Sequence, residues 1–147
     1  MSGEKIIVVN EKDEVLGFED KEKCHDGSGI LHRAFVAFVF NNKKKLLLAQ
    51  RSRQKRLWPL YWDATCASHP RKGESYMEAG EKRLWEELGF SCPLSYAFKF
   101  RYHTPYKGIG SEREVCAVLL GDYSGLVKPD KSEVSEVKWI GLSELKK

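Results

Sequence analysis

Cys66 and His69 stand three residues apart in the stretch Trp62-Asp63-Ala64-Thr65-Cys66-Ala67-Ser68-His69-Pro70, which runs through Arg71-Lys72-Gly73-Glu74-Ser75 into a strongly patterned helix. A thiol and an imidazole are ligands for transition metals. The helix ends in Arg83-Leu84-Trp85-Glu86-Glu87-Leu88-Gly89-Phe90, so Arg83 and Glu87 are neighbours one turn apart. That pair reads as a surface ion pair or as one wall of a site beside the His69 loop, and the loop's position favours the site no less than the ion pair. Glu112 and Glu114 lie two apart in a strand-like run and project side by side. Two adjacent carboxylates repel and stay ionised most easily around a cation, unless the strand end simply faces solvent. The basic run Arg51-Ser52-Arg53-Gln54-Lys55-Arg56 leads into Leu57-Trp58-Pro59-Leu60-Tyr61-Trp62. Such a stretch is either a nucleic-acid surface or one wall of a phosphate pocket.

The 147 residues are expected to form one domain, 1–147, with a substantial core. A hydrophobic content of 41% with 31% charged residues is that of an ordinary soluble globule. No apolar run approaches the roughly 20 residues of a membrane span, and Met1-Ser2-Gly3-Glu4-Lys5 lacks the apolar stretch of a signal peptide. A cytoplasmic protein without membrane contact follows. Cys24, Cys66, Cys92 and Cys116 form no CxxC pair and read as separate thiols, mostly buried, in a reducing compartment. Only Cys66, beside a histidine, reads as more. The net charge of +4 suits an anionic ligand of either kind, nucleic acid or small phosphate.

The elements that must position these groups follow from periodicity. Lys5–Asn10 and Val15–Phe18 form an opening hairpin, and Glu19–Ile30, charged and then glycine-rich, reads as loop. His32–Phe40 is apolar almost throughout, a strand covered on both faces. It turns at Asn41–Lys45 and pairs back through Leu46–Gln50. Leu57–Trp62 is strand-like. Ser75 and Glu78 form a capping box, and Gly89 stops the helix. Met77, Leu84 and Leu88 share the core stripe. Phe98–His103 alternates, which puts Phe98, Phe100 and Tyr102 on an inner face and Lys99, Arg101 and His103 on an outer one, so His103 is left out of any site. Thr104–Ser111 reads as loop, Glu112–Leu120 and Val134–Ile140 as strands, and Leu142–Leu145 as the start of a helix.

Taken together with His25, His32, His69, Glu87, Glu112 and Glu114, the chain resembles the type 1 isopentenyl-diphosphate isomerases of the Nudix superfamily. The resemblance is carried by Cys24-His25, Leu31-His32-Arg33-Ala34-Phe35, Gln50-Arg51-Ser52, Ser68-His69-Pro70, Gly73-Glu74-Ser75 and Glu112-Arg113-Glu114, over about Lys21 to Leu145. Each motif is weak alone; their order and spacing are specific. The resemblance implies a mixed α/β (α+β) Nudix fold, a curved mixed β-sheet sandwiched between α-helices. It implies that His25, His32, His69, Glu112 and Glu114 ligate one divalent metal, and that donor set suits Zn²⁺ or Mn²⁺. It further implies an Mg²⁺ held by the substrate diphosphate, Glu87 and a carbonyl near Ala67. Lys21, Arg51, Lys55 and Arg83 match diphosphate-binding positions, a task suited to ammonium and guanidinium groups. The implied reaction protonates the alkene of isopentenyl diphosphate and removes a different proton, with Glu114 and Tyr102 on the acid side.

The sequence departs from the family at two important places. The family's catalytic cysteine position is Ala67, with Cys66 as a possible substitute that extended backbone would point the other way. The family's tryptophan that covers the carbocation comes from a helix beyond the point where this sequence ends, and Trp58 or Trp62 could supply a π face in its place only where geometry allows. Asp63-Ala64 also differs from the family's usual Thr-Asn. The expected function is therefore interconversion of isopentenyl and dimethylallyl diphosphate, impaired at the Ala67 position. The alternative is a Nudix pyrophosphohydrolase acting on a prenyl or nucleoside diphosphate, although Arg83 replaces a carboxylate that hydrolytic members need for Mg²⁺. A nucleic-acid-binding role ranks third. The expected partner is a small prenyl diphosphate, with no nucleic acid and no membrane, and the expected state is a monomer.

Overall fold

The apolar run His32–Phe40 becomes β3, the strand around which the sheet is assembled: β1 (Lys5–Val9), β4 (Leu46–Arg51), β6 (Cys66–Ser68) and β8 (Gly110–Asp122) all pair with it. This computed structural model describes residues 4–146. β2 (Val15–Asp20) pairs with β1, β5 (Trp62–Asp63) and β9 (Val134–Ile140) pair with β4, and β7 (Leu94–Tyr106) pairs with β8, giving a nine-stranded mixed sheet. The β3–β8 ladder is parallel, from His32 opposite Glu114 to Phe40 opposite Asp122, and the other ladders are antiparallel. A helix from Tyr76 to Leu88, α2, and two short turns of helix, α1 (Lys21–His25) and a 3₁₀ segment (Leu142–Lys146), complete the fold.

Both signals of the α2 boundaries act locally. Ser75 Oγ accepts from the Glu78 amide at 3.1 Å while Glu78 Oε1 accepts from the Ser75 amide at 3.0 Å. Gly89 closes the helix in the left-handed region at φ 72°. Leu84 and Leu88 are fully buried against Phe35, Ala37, Ala117 and Leu119 of β3 and β8. At Gly80 a Cβ would come within 2.7 Å of Leu94 and 2.9 Å of Leu119, so the helix lies close on the sheet only because no side chain stands there. The core therefore fills one face of β3 and β8. The opposite face is left to form a pocket.

Three segments differ from their sequence-based expectations. The stretch 19–30 carries the end of β2 and the α1 turn, which buries Cys24 and His25. Leu57–Trp62 is irregular apart from its last residue, with Trp58 and Leu60 both at positive φ around Pro59. The Arg51 guanidinium holds that loop inward through the carbonyls of Leu57 and Trp58. The residues 104–111 are mostly strand: β7 and β8 form a hairpin closed by the three residues 107–109, with Lys107 and Gly108 at positive φ and the Ile109 amide on the Tyr106 carbonyl at 2.8 Å. Pro105 is tolerated because β7 pairs on one side only. The alternation along β7 holds, but Phe98 (56% exposed) and Phe100 (43%) face the pocket and not the core.

Candidate metal centre and adjoining pocket

Strand parity decides which side chains meet. In the parallel register His32 lies opposite Glu114, and β7 sets Tyr102 opposite Glu114 on the other side. β6 pairs Ala67 with Val36, so Ala67 shares the pocket face and Cys66, one residue earlier, turns to the α2 face. His69 follows two residues after Ala67 and lines the pocket, and His25 reaches it from the end of α1.

The result is a compact set of donors. His25, His32, His69 and Glu114 each offer one ligand atom, and these atoms all lie within 4.8 Å of one another. Glu114 Oε2 is 3.0 Å from His69 Nε2, 3.1 Å from His32 Nε2 and 3.9 Å from His25 Nε2. The other ring nitrogens of His25 and His32 lie 2.8 and 2.7 Å from the carbonyls of Lys21 and Ile30. A carbonyl only accepts, so both Nδ1 atoms carry the proton and the neutral tautomer leaves Nε2 a bare lone pair. Two bare imidazole lone pairs and a carboxylate oxygen aimed at one point repel unless a cation lies between them. This donor chemistry fits a divalent metal, and the carbonyl partners are the outer contacts that orient ligating histidines. His69 Nδ1 is buried without a partner among the described residues.

Electrostatics agree with the geometry. Burial acts to raise the Glu114 pKa, but with protons in place of a metal at the shared point the three imidazoles donate to the carboxylate and hold it well below its ordinary value. Burial lowers His69 to about 3 against the opposing pull of Glu114, keeping it neutral as a metal ligand must be. Glu112 stands outside the four-donor set. Its carboxylate accepts the Tyr102 hydroxyl, which also lies 2.6 Å from Glu114 Oε1, so one phenol bridges the two glutamates. Burial and the Glu114 charge raise Glu112; burial and both carboxylates raise Tyr102. The resemblance made Glu112 a fifth ligand; here it reaches the centre only through Tyr102.

A cationic cluster adjoins the centre in the same pocket, which is lined by Lys21, Arg51, Lys55, Arg83 and Glu87 among others. Arg83 Nη2 pairs with the buried Glu87 and lies 3.0 Å from Glu133, which also receives Lys55 Nζ at 2.7 Å. Burial raises Glu87 above the ordinary carboxylate range in spite of Arg83 and Lys55. Lys21 is lowered first by burial, with Lys55 and Arg83 adding to the effect against Glu4, which shows three cations held near one another. Such a cluster wants an anion. No sequence pattern singles out Glu133. It sits immediately before β9 with no local pattern to link it to Arg83 fifty residues away.

Several expected contributions lie elsewhere. Cys66 is buried with Sγ 3.5 Å from Glu87 Oε1, and burial pushes its thiol far above the usual range. It faces away from the pocket. Trp58 stacks near Tyr106 at 4.8 Å, whereas Trp62 lines the pocket with Lys138 Nζ 4.4 Å over its ring. Three of the run's cations make intramolecular contacts: Arg51 on the carbonyls of Leu57 and Trp58, Lys55 on Glu133, and the exposed Arg56 on Asp26 at 2.7 Å. Among the described residues no helix is long and apolar enough to cross a membrane.

Comparison with known proteins agrees with this layout. Residues 30–147 match the NUDIX domain. An isopentenyl-diphosphate Delta-isomerase of Haloarcula marismortui is 40% identical over 97% of this chain and 79% of its own length. Isopentenyl-diphosphate Delta-isomerase 2 of Aromatoleum aromaticum is 37% identical over 97% of this chain and 75% of its own. In the solved structures, DR0079 from Deinococcus radiodurans superposes with a TM-score of 0.77 at 21% identity, covering 97% of this chain and 86% of that one, a likeness of fold alone.

Proposed function

We propose that this chain, which belongs to the NUDIX domain family and to its isopentenyl-diphosphate Delta-isomerase branch, interconverts isopentenyl and dimethylallyl diphosphate. The observation that carries the reading is one pocket holding both the His25, His32, His69 and Glu114 cluster and the Lys21, Lys55 and Arg83 cluster.

Protonation of the substrate's terminal CH₂ places one proton on that carbon and leaves a tertiary cation at its neighbour. Loss of one proton from the next carbon restores the double bond one position along, so the proton count is unchanged. Tyr102 and Glu114 are the acid side: the phenol hydroxyl lies on both glutamates and can pass a proton along that contact. A divalent ion, Zn²⁺ or Mn²⁺ for this donor set, supplies positive charge that keeps Glu114 ionised and fixed. Lys21, Lys55 and Arg83, with Arg51 at the rim, hold the diphosphate, and Glu87 is placed to meet the Mg²⁺ that accompanies it. On the other face of the substrate the Ala67 methyl can neither give nor take a proton, so the deprotonation step is slow. The reading needs no nucleic acid, no membrane and no second copy, and the four free thiols suit the cytoplasm.

Ala67 also favours a second reading, a pyrophosphohydrolase that kept the pocket and left isomerisation behind. Metal-loaded protein incubated with isopentenyl diphosphate in D₂O and followed by NMR separates the two. Deuterium in the prenyl chain or dimethylallyl diphosphate supports the isomerase. Released phosphate supports the hydrolase, and neither product would sink both.

A further inference from the structure

Beyond the metal centre the pocket continues as an apolar trough whose length follows from strand register. From the level of His32, Glu114 and Tyr102, the pocket face of the sheet passes Cys116 opposite Phe100 and then Val118 opposite both Val36 and Phe98. Ala67 lies opposite Val36, so the position that lacks a thiol is part of this apolar floor. At about 3.3 Å per residue, the four residues from Glu114 to Val118 span about 13 Å, about twice the reach of a five-carbon chain. Tyr102, Phe100 and Phe98 form a ladder of rings at spacings of 5.5 and 6.4 Å along one wall. Phe98 and Phe100 remain 56 and 43% exposed. The cavity volume is about 1030 Å³, the size of a site for a much larger ligand than a five-carbon diphosphate.

One end of this pocket is cationic and the rest is apolar, which is the complement of an amphiphile with an anionic head. We infer that the trough is a tail subsite, and that the chain binds prenyl diphosphates of ten or more carbons in preference to five-carbon ones. The diphosphate lies on Lys21, Lys55 and Arg83 and the tail runs past Ala67 along Phe100 and Phe98. The inference rests on the diphosphate reading of the cationic cluster. A reaction that joins five-carbon units would supply such ligands, and a longer prenyl diphosphate would compete with the five-carbon substrate for the same pocket.

Calorimetric titration of the metal-loaded chain with Mg²⁺ present tests it, using inorganic pyrophosphate, isopentenyl diphosphate, geranyl diphosphate and decyl sulfate. Each added isoprene unit buries apolar carbon, so geranyl diphosphate should bind at least about tenfold tighter than isopentenyl diphosphate, and tighter than decyl sulfate. Phe98→Asp and Phe100→Asp, at exposed positions that folding tolerates, should bring the geranyl-to-isopentenyl ratio close to one. If pyrophosphate binds but chain length makes no difference, the tail subsite falls and the diphosphate reading stands. If neither pyrophosphate nor any prenyl diphosphate binds, both fall. Decyl sulfate binding as tightly as geranyl diphosphate would reduce the trough to a general apolar surface and overturn the inference.

Discussion

His32 and Glu114 sit opposite each other in the parallel β3–β8 ladder, with Nε2 3.1 Å from Oε2 while Nδ1 lies 2.7 Å from the Ile30 carbonyl. The carbonyl fixes the tautomer, the ladder fixes the distance, and a lone pair is left facing a carboxylate. That contact is favourable only with a proton or a metal ion in it, so a divalent ion bound there would add to the folded state's stability.

Titration of metal-stripped protein with Zn²⁺ or Mn²⁺ should therefore raise the melting temperature. A metal at 100 times its Kd stabilises by about 2.7 kcal/mol. His32→Ala and Glu114→Gln should each weaken binding by at least about tenfold, since even outer contacts of metal sites are worth that much. A metal-independent melting temperature in the parent protein would contradict the assignment.

The metal-free protein should lose stability as pH falls from about 6.5 towards 3. His69 has a folded pKa of about 3, below its ordinary 6.5, so across that interval the unfolded chain binds a proton that the folded one refuses, and stability rises with pH. Glu114 is held below its ordinary 4.5; its contribution is present above that value and is lost as pH drops through the folded one. The two act in the same direction. Urea denaturation at pH 7, 5 and 4 should show a steady decline, and His69→Ala should flatten it between pH 6.5 and 4.5.

Ala67→Cys should raise isomerisation by at least about tenfold, since a positioned acid or base contributes roughly 10²–10⁴. Cys66→Ser should leave the rate unchanged, because Cys66 turns to the α2 face of β6 while Ala67 faces the pocket. Deuterium incorporation from D₂O measures both. A rate lost in Cys66→Ser would show that β6 rearranges around the substrate.

Glu133 joins Lys55 and Arg83 across 2.7 and 3.0 Å and keeps two like charges together. Glu133→Gln weakens that bracket, and KM for the diphosphate should rise roughly three- to tenfold with kcat little changed, the scale of one hydrogen bond. A fall in kcat at constant KM would place Glu133 in the chemistry instead.

Asp13 anchors the opening hairpin: its carboxylate takes Arg33 Nε and the Tyr76 hydroxyl at 2.8 Å and Lys99 Nζ at 2.9 Å. Asp13→Ala should cost about 2–3 kcal/mol in urea denaturation, because the buried partners lose their acceptor. Asp13→Asn should cost less, since asparagine tolerates the φ of 63° found there.

Much of this protein was legible because its causes are local. The Ser75–Glu78 capping box and the Gly89 stop lie within a few residues of the helix ends they control, and the apolar run of β3 announces a strand buried on the sheet. The alternation along β7 set Phe98, Phe100 and Tyr102 on one face without any knowledge of partners. It could not say whether that face met a core or a pocket. That depends on α2 covering only one side of the sheet.

The composition and motif spacing determined the chemistry on offer: three histidines on pocket-side segments, a pair of neighbouring glutamates, a run of cations. Only the tertiary structure decided their assignment. Parallel pairing of β3 with β8 put His32 on Glu114, Tyr102 came between Glu114 and Glu112, and one residue of strand parity turned Ala67 to the pocket and Cys66 away from it. Register between distant strands is set by the burial of whole faces, and no short stretch of sequence contains that information.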